Sequence, residues 1–475
     1  MAVREPRERR TTSRNAIAVA LAAGTVGVVY GYDTGSIAGA LLFVPKQFHL
    51  GTNATEWITT CTGIGLIVGA LLANRLADRY GRKLAMVVIA IGFTVFAVLQ
   101  GVAQDIVWLD AARVLLGVSI GISTVVAPVF IAESAPTAIR GALIVGYQVA
   151  TVAGIMVAYF VDYALAGSGS WRWMLGLSAI VSAAVLLVLV RLPDTPRWYL
   201  MRGRREDAAI AIRQSDPDVD VEAEIAEIQA DLGAERGGSL REMLRRPYLR
   251  PTLFVLVLGF LVQITGINAV TYYSPFIFQA IGWHGNITLL IQALVEVASV
   301  FAVLGAVAIV DRLGRRLTLL IGIGVMILAN VLLVVLYAHG RFTGAAPALG
   351  FVGILFFTAG FNFGFGAMVW VYASESFPVR LRTAGASTML TADLLANLLI
   401  SRFFLSVFQS LGGGGTFGLF LGLAVVSFLF VVRLAPETKG RPLEAIRIYW
   451  ENGGQWPPEA ETRRRLTEAD RGRPA

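Results

Sequence analysis

The stretch Ala16–Leu42, AIAVALAAGTVGVVYGYDTGSIAGALL, carries a single charge, Asp33. At a helical rise of about 1.5 Å per residue it is long enough to cross a hydrocarbon core of about 30 Å with room for tilt, which puts Asp33 inside the membrane. A carboxylate at that depth costs about 3 kcal/mol or more, so it faces a polar interior, pairs with a cation or takes up a proton. Each option points to transport. The competing reading, a misjudged helix end at residue 33, is disfavoured by apolar sequence on both sides.

Outward from this stretch the pattern repeats. The chain has 475 residues, 56% of them hydrophobic, with a mean hydropathy of +0.67. Only 15% are charged, against about 25% in soluble domains. Apolar spans fall at 16–42, 57–77, 84–103, 106–131, 141–163 and 171–191, and again at 252–280, 286–310, 317–338, 346–373, 383–409 and 415–434. An all-α integral membrane protein of twelve transmembrane helices is expected. It comprises six-helix units at 16–191 and 252–434, a linker at 192–251, and tails at 1–15 and 435–475. Within the linker, Val221–Ile228 has apolar residues at helical spacing and predicts short amphipathic helices.

The net charge of +8 sits mainly in alternate loops and the tails, notably Arg75–Lys83, Glu133–Arg140, Asp311–Arg316 and Glu375–Arg382. The intervening loops hold little beyond Lys46, Arg172 and Arg341. By the positive-inside rule the basic loops and both termini are cytoplasmic, and no nucleic-acid partner is needed to explain the charge. The apolar stretch after the basic run 1–14 is too long for a signal-peptide core, so a retained tail is expected. One cysteine, Cys61, permits no intrachain disulfide. His49, His284 and His339 lie at or near span ends, as solvated residues do. The acceptor patterns at Asn53–Thr55 and Asn286–Thr288 are read as chance in a composition that looks bacterial.

The halves echo each other. DRYGRK at Asp78–Lys83 follows the second span and DRLGRR at Asp311–Arg316 the eighth. Such a repeat implies duplication, and transporters built this way bind substrate between the repeats near the midplane.

Further motifs are GYDTG at Gly31–Gly35, the run from Arg113 through Gly117 and Gly121 to Glu133, RG at Arg140–Gly141 and PDTPRW at Pro193–Trp198. QITGINAVTYY follows at Gln263–Tyr273, then Trp370, ESFPVRLR at Glu375–Arg382, and PETKG at Pro436–Gly440. In this order they resemble the sugar porter family of the major facilitator superfamily, from about Gly31 to Glu444. The resemblance implies the major facilitator fold and alternating access. It also implies that Asp33 takes up the coupled proton under the influence of Arg113. Counting down the spans puts Asp33 about 13 Å and Arg113 about 10 Å below the outer surface, so the two could meet. A static ion pair is the plain alternative.

By the same resemblance the substrate site comprises Gln148, Gln263, Asn268, Tyr272, Trp370 and Asn397. Amides both donate to and accept from vicinal hydroxyls, and an indole packs on the C–H face of a sugar ring. Val262, Ser299, Asp393, Leu394, Ala367 and Val369 depart from the family's usual residues, so a hexose is not assumed. Asp393 joins the expected substrate residues. Glu296, Ser299 and Arg402 form a possible accessory group in which Arg402 compensates Glu296 or Asp393. On the cytoplasmic side Asp78, Arg82, Glu133, Arg140, Asp194, Arg197, Asp311, Arg315, Glu375 and Arg382 match residues that hold the family's inner gate shut. Asn74 replaces a usual glycine in the first of these loops.

The expected function is import of a sugar, polyol or cyclitol by proton symport. The expected protein works as a monomer in the cell membrane, with no cofactor and no bound metal. An exporter or facilitative carrier of another polar solute, for instance an aminated one, remains open, as does a nutrient sensor without flux. No nucleophile triad, metal cluster or phosphate loop points to an enzyme.

Overall fold

The computed structural model describes residues 14–135, 140–216, 219–235, 240–340, 343–441 and 443–458. Residues 1–13 and 459–475 of the expected tails, Arg341, and the side chain of Arg140 lie outside the described residues.

All regular secondary structure among the described residues is helical. The long helices are α1 (Arg14–Ala40), α2 (Thr52–Tyr80), α3 (Arg82–Gly101), α4 (Ile106–Ser134), α5 (Arg140–Ala166) and α6 (Trp171–Leu189). After the linker come α7 (Leu249–Ala280), α8 (Ile287–Leu313), α9 (Arg315–His339), α10 (Ala346–Glu375) and α11 (Val379–Leu434). Ten of them, α2 to α11, are long and apolar enough to cross a membrane, and α1 adds a further 27 residues.

Three helices are broken where glycine or a wide turn allows it. Gly266 divides α7 with φ of 99°, and a Cβ there would run into the Phe420 ring. In α10 a π-helical turn spans Asn362–Gly366. As one straight rod the 56 residues of α11 would extend about 84 Å, far beyond a bilayer core, and Gly412 interrupts them at φ 67° and ψ 173°.

Glycines four apart let helices within the first half touch backbone to backbone. On α1 and α5, Gly31 abuts Thr151, and a Cβ on Gly35 would stand 2.8 Å from the Ile155 carbonyl oxygen. On α2 and α4, Gly65 and Gly69 meet Val114 and Val118, while Gly117 and Gly121 meet Thr62 and Leu66. With no hydrophobic drive between helices in lipid, close contact of this kind supplies the attraction.

The apolar core has two parts. One is confined almost wholly to the first half, around Met86, Ile89, Phe93, Phe130 and Leu189. The other is continuous across both halves, taking Ile37, Leu41, Tyr159 and Trp171 together with Val270, Tyr273, Phe404 and Phe417.

Four short helices occupy the linker, at Pro196–Met201, Arg205–Ser215, Val221–Glu235 and Leu240–Met243. The expected tail from 435 is not free at its start. Leu443–Glu451 is a helix whose Ile446, Tyr449 and Trp450 are buried, with Trp450 5.3 Å from the Phe254 ring on α7.

Candidate functional site

Asp33 and Arg113 meet, as the depth count allows. Asp33 Oδ1 lies 3.9 Å from Arg113 Nη1, and both residues are almost fully buried. The guanidinium is held more firmly by neutral acceptors: Nε donates to the Ile58 carbonyl at 2.8 Å and Nη1 to Gln100 Oε1 at 3.0 Å. Arg113 therefore keeps its place whether or not Asp33 is charged. Gln100, fully buried on α3, is a site residue that sequence reasoning missed; it looks like a span-end amide there.

A small cavity is lined by Tyr30, Asp33, Thr34, Thr59, Arg113 and Tyr272 among others. The expected substrate residue Tyr272 thus shares a cavity with the acid–arginine pair. Beside it, Asn268 Nδ2 donates to Asn397 Oδ1 at 2.9 Å, and Tyr272 also hydrogen-bonds Asn397. Gln263 hydrogen-bonds Asp393, and its Oε1 is buried without a partner. Five expected substrate residues therefore form two amide and acid groups where α7 meets α11. Gln148 on α5 and Trp370 on α10 make no hydrogen bond among the described residues, and Trp370 is 43% exposed.

The accessory group is corrected by the geometry. Arg402 pairs with neither Glu296 nor Asp393. Its Nη1 reaches Glu56 Oε2 at 3.0 Å, across the two halves. Glu296 is buried on α8 and accepts from Gln292 Nε2 at 2.9 Å, while Ser299 donates to the Val295 carbonyl. Glu56 was hidden in the sequence because the apolar pattern of the second span begins at residue 57, which leaves it in the loop. Asp162 on α5 was also missed; it is fully buried and accepts from the Gly39 N–H at 3.2 Å. An acid inside an otherwise apolar span was the available signal.

At the end that carries the basic loops, charges cluster by half. Arg82 pairs with Asp78 and with Glu133, each at 3.0 Å, and Arg197 approaches Glu133 at 3.6 Å. In the second half Arg315 contacts Asp311 at 3.1 Å and Glu375 at 3.9 Å. Arg382 forms no ion pair among the described residues. Among the described residues, these ion pairs stay within one half or join it to the start of the linker. In this conformation they do not bolt the halves together.

The repeat extends to the backbone. Gly81 and Gly314 take φ of 107° and 94°, and an acid from further along the chain caps each following helix. Asp194 accepts from the Arg82 and Lys83 N–H groups at 3.0 and 3.2 Å, and Glu437 from those of Arg315 and Arg316 at 3.0 and 3.2 Å. Carboxylates suit these positions because the first N–H groups of a helix lack partners and carry partial positive charge. Burial pushes the Asp194 carboxyl up from its ordinary range, against the pull of the N–H groups it accepts. Glu437 was not singled out from the sequence, although PETKG occupies the place in the second half that PDTPRW holds in the first.

A membrane-crossing helical bundle in two halves, with an acid–arginine pair and an amide-rich wall at one buried cavity, is the architecture of a solute carrier. The sequence profile of the sugar (and other) transporter family matches residues 19–450, and the chain belongs to that family, whose members are transporters rather than enzymes. It is 33% identical over 445 residues to an arabinose-proton symporter of Bacillus subtilis, covering 91% of this chain and 95% of that protein. To a galactose-proton symporter of Escherichia coli it is 32% identical over 430 residues, covering 90% and 93%. Among solved structures, the major facilitator proton:xylose symporter XylE bound to 6-bromo-6-deoxy-D-glucose aligns with a TM-score of 0.78 at 26% identity, covering 92% of this chain and 99% of that one. An inward-open XylE from E. coli, at 23% identity and a TM-score of 0.79, shares the fold.

Proposed function

We propose that this protein imports a sugar, polyol or cyclitol together with a proton by alternating access. A shared cavity carries this: Asp33, paired loosely with Arg113, and Tyr272, bonded to the Asn397 amide that Asn268 also meets, line or adjoin one space. The symporter names of relatives that match over nearly the whole chain support it.

On this reading α1 to α10 each cross once and α11 crosses twice around Gly412, giving twelve spans in units 16–191 and 252–434. The basic end and both termini face the cytoplasm of a cell membrane. The protein works as a monomer in the bilayer. Outward-open protein takes a proton at Asp33 and substrate at Gln148, Gln263, Asn268, Tyr272, Trp370, Asp393 and Asn397. The halves then rock, and both ligands leave inward. The Asp78–Arg82–Glu133–Arg140–Asp194–Arg197 and Asp311–Arg315–Glu375–Arg382 groups close the inner side in the opposite state. The present arrangement, with halves joined at the far end and gate charges confined within each half, corresponds to the inward-facing member of the cycle.

Counterflow of radiolabelled sugars and polyols in proteoliposomes tests the reading. Exchange of at least one of them, with accumulation driven by an imposed proton gradient, is the expected result; the absence of both would overturn it.

A further inference from the structure

At the end opposite the basic loops one buried carboxylate is bonded across the halves. Glu56, at the start of α2, is fully buried, and every hydrogen bond its side chain makes goes to α11 of the other half. Oε2 accepts from Arg402 Nη1 at 3.0 Å and from Ser406 Oγ at 2.8 Å, and Oε1 accepts from the Ser406 N–H at 2.7 Å. Arg402 is in turn seated over the Trp57 and Phe403 rings, each 5.2 Å away. One turn deeper, Thr59 Oγ1 donates to the Ser401 carbonyl at 3.1 Å and lies 2.7 Å from the Tyr273 hydroxyl. A turn higher, Thr52 Oγ1 donates to Gln409 Oε1 at 2.7 Å.

We propose that Glu56 and Arg402 are a latch that closes the outer side of the cavity and sets how much of the protein faces inward at rest. Glu56 is fully buried while Arg402 is partly exposed, so separating them leaves the carboxylate desolvated and without its cation. Both members sit on opposite halves, so the pair exists only when the outer ends touch. It therefore favours one of the two arrangements that alternating access requires, which is how a local contact shifts a global equilibrium. The gate charges at the other end give no such bias here, because those pairs survive in either half alone. The latch also shares backbone with the coupling site: the Ile58 carbonyl that anchors Arg113 lies two residues from Glu56. A movement of this turn is felt at both.

The inference rests on the orientation proposed above, and its test separates the two. In a Cys61→Ala background, Thr62→Cys places a single thiol on the cavity wall beneath the latch. In right-side-out vesicles a membrane-impermeant maleimide should label it slowly in the parent. With Arg402→Ala or Glu56→Gln added, labelling should be at least tenfold faster, while in inside-out vesicles it slows. Arg402→Lys, which keeps the charge, should return most of the parent rate. Faster labelling only in inside-out vesicles would mean that the orientation is reversed while the latch stands. Parent rates from both sides in Arg402→Ala and Glu56→Gln would overturn the latch. Should those variants fail to fold, Ser406→Ala, which deletes one of the three bonds, should label two- to threefold faster, and an unchanged rate there overturns it equally.

Discussion

Two ion pairs built on buried carboxylates differ in tightness and in reach. Asp33 and Arg113 both belong to the first half and stand 3.9 Å apart, with the arginine held by Ile58 and Gln100. Glu56 and Arg402 stand 3.0 Å apart in opposite halves, and the carboxylate is further bonded to Ser406. A loose pair whose cation has other supports can lose its negative charge without losing its geometry, which suits a proton carrier. A tight pair that exists only when two bodies touch suits a switch between arrangements. The same chemistry thus serves different ends according to what else holds each partner.

Substitutions can break this contrast. Asp33→Asn should abolish accumulation of substrate against a gradient while leaving counterflow, read as uptake with and without an imposed proton gradient. Arg402→Ala should lower stability by about 3 kcal/mol, because fully buried Glu56 is left without its cation. The fall is checked by the midpoint of heat unfolding in detergent. Gln100→Ala, which removes one neutral support of Arg113, should cost about 2 kcal/mol in the same assay. Its effect sharpens the claim that amide and carbonyl, rather than Asp33, fix the arginine. Gly81→Ala and Gly314→Ala should each cost about 2 kcal/mol, because the backbone there is one that essentially only glycine adopts and an added Cβ would stand 2.0 Å from Asp194 Oδ2 and 2.5 Å from Glu437 Oε2. Similar losses at both would mark the repeated turns as equivalent, whereas a loss at only one would break the symmetry between halves.

Much of this architecture is legible in the sequence because its causes are local. Hydropathy alone outlines the spans, since each must satisfy its backbone within lipid. Counting 1.5 Å per residue brings Asp33 and Arg113 to similar depth, and DRYGRK and DRLGRR mark the repeated turns. What escaped depends on contacts between distant residues. Arg402 has several acids at similar depth, and nothing in the chain order says that its partner is Glu56, 346 residues away. The amphipathic face of Leu443–Glu451 reads as a tail until Phe254 is seen beside Trp450. The two expected spans 383–409 and 415–434 run on as one helix through a glycine-rich turn whose break is a single backbone angle at Gly412. For the candidate site, the α7 and α11 residues are brought together as the motifs suggest, while Gln148 and Trp370 are left apart from them.

If proton and solute move together through Asp33, adding a transported sugar to the unbuffered medium outside de-energised vesicles that carry the protein changes the external pH. A transient alkalinisation that requires the sugar and is absent in Asp33→Asn is the expected result. Sugar entry by the parent protein with no change in external pH would contradict it.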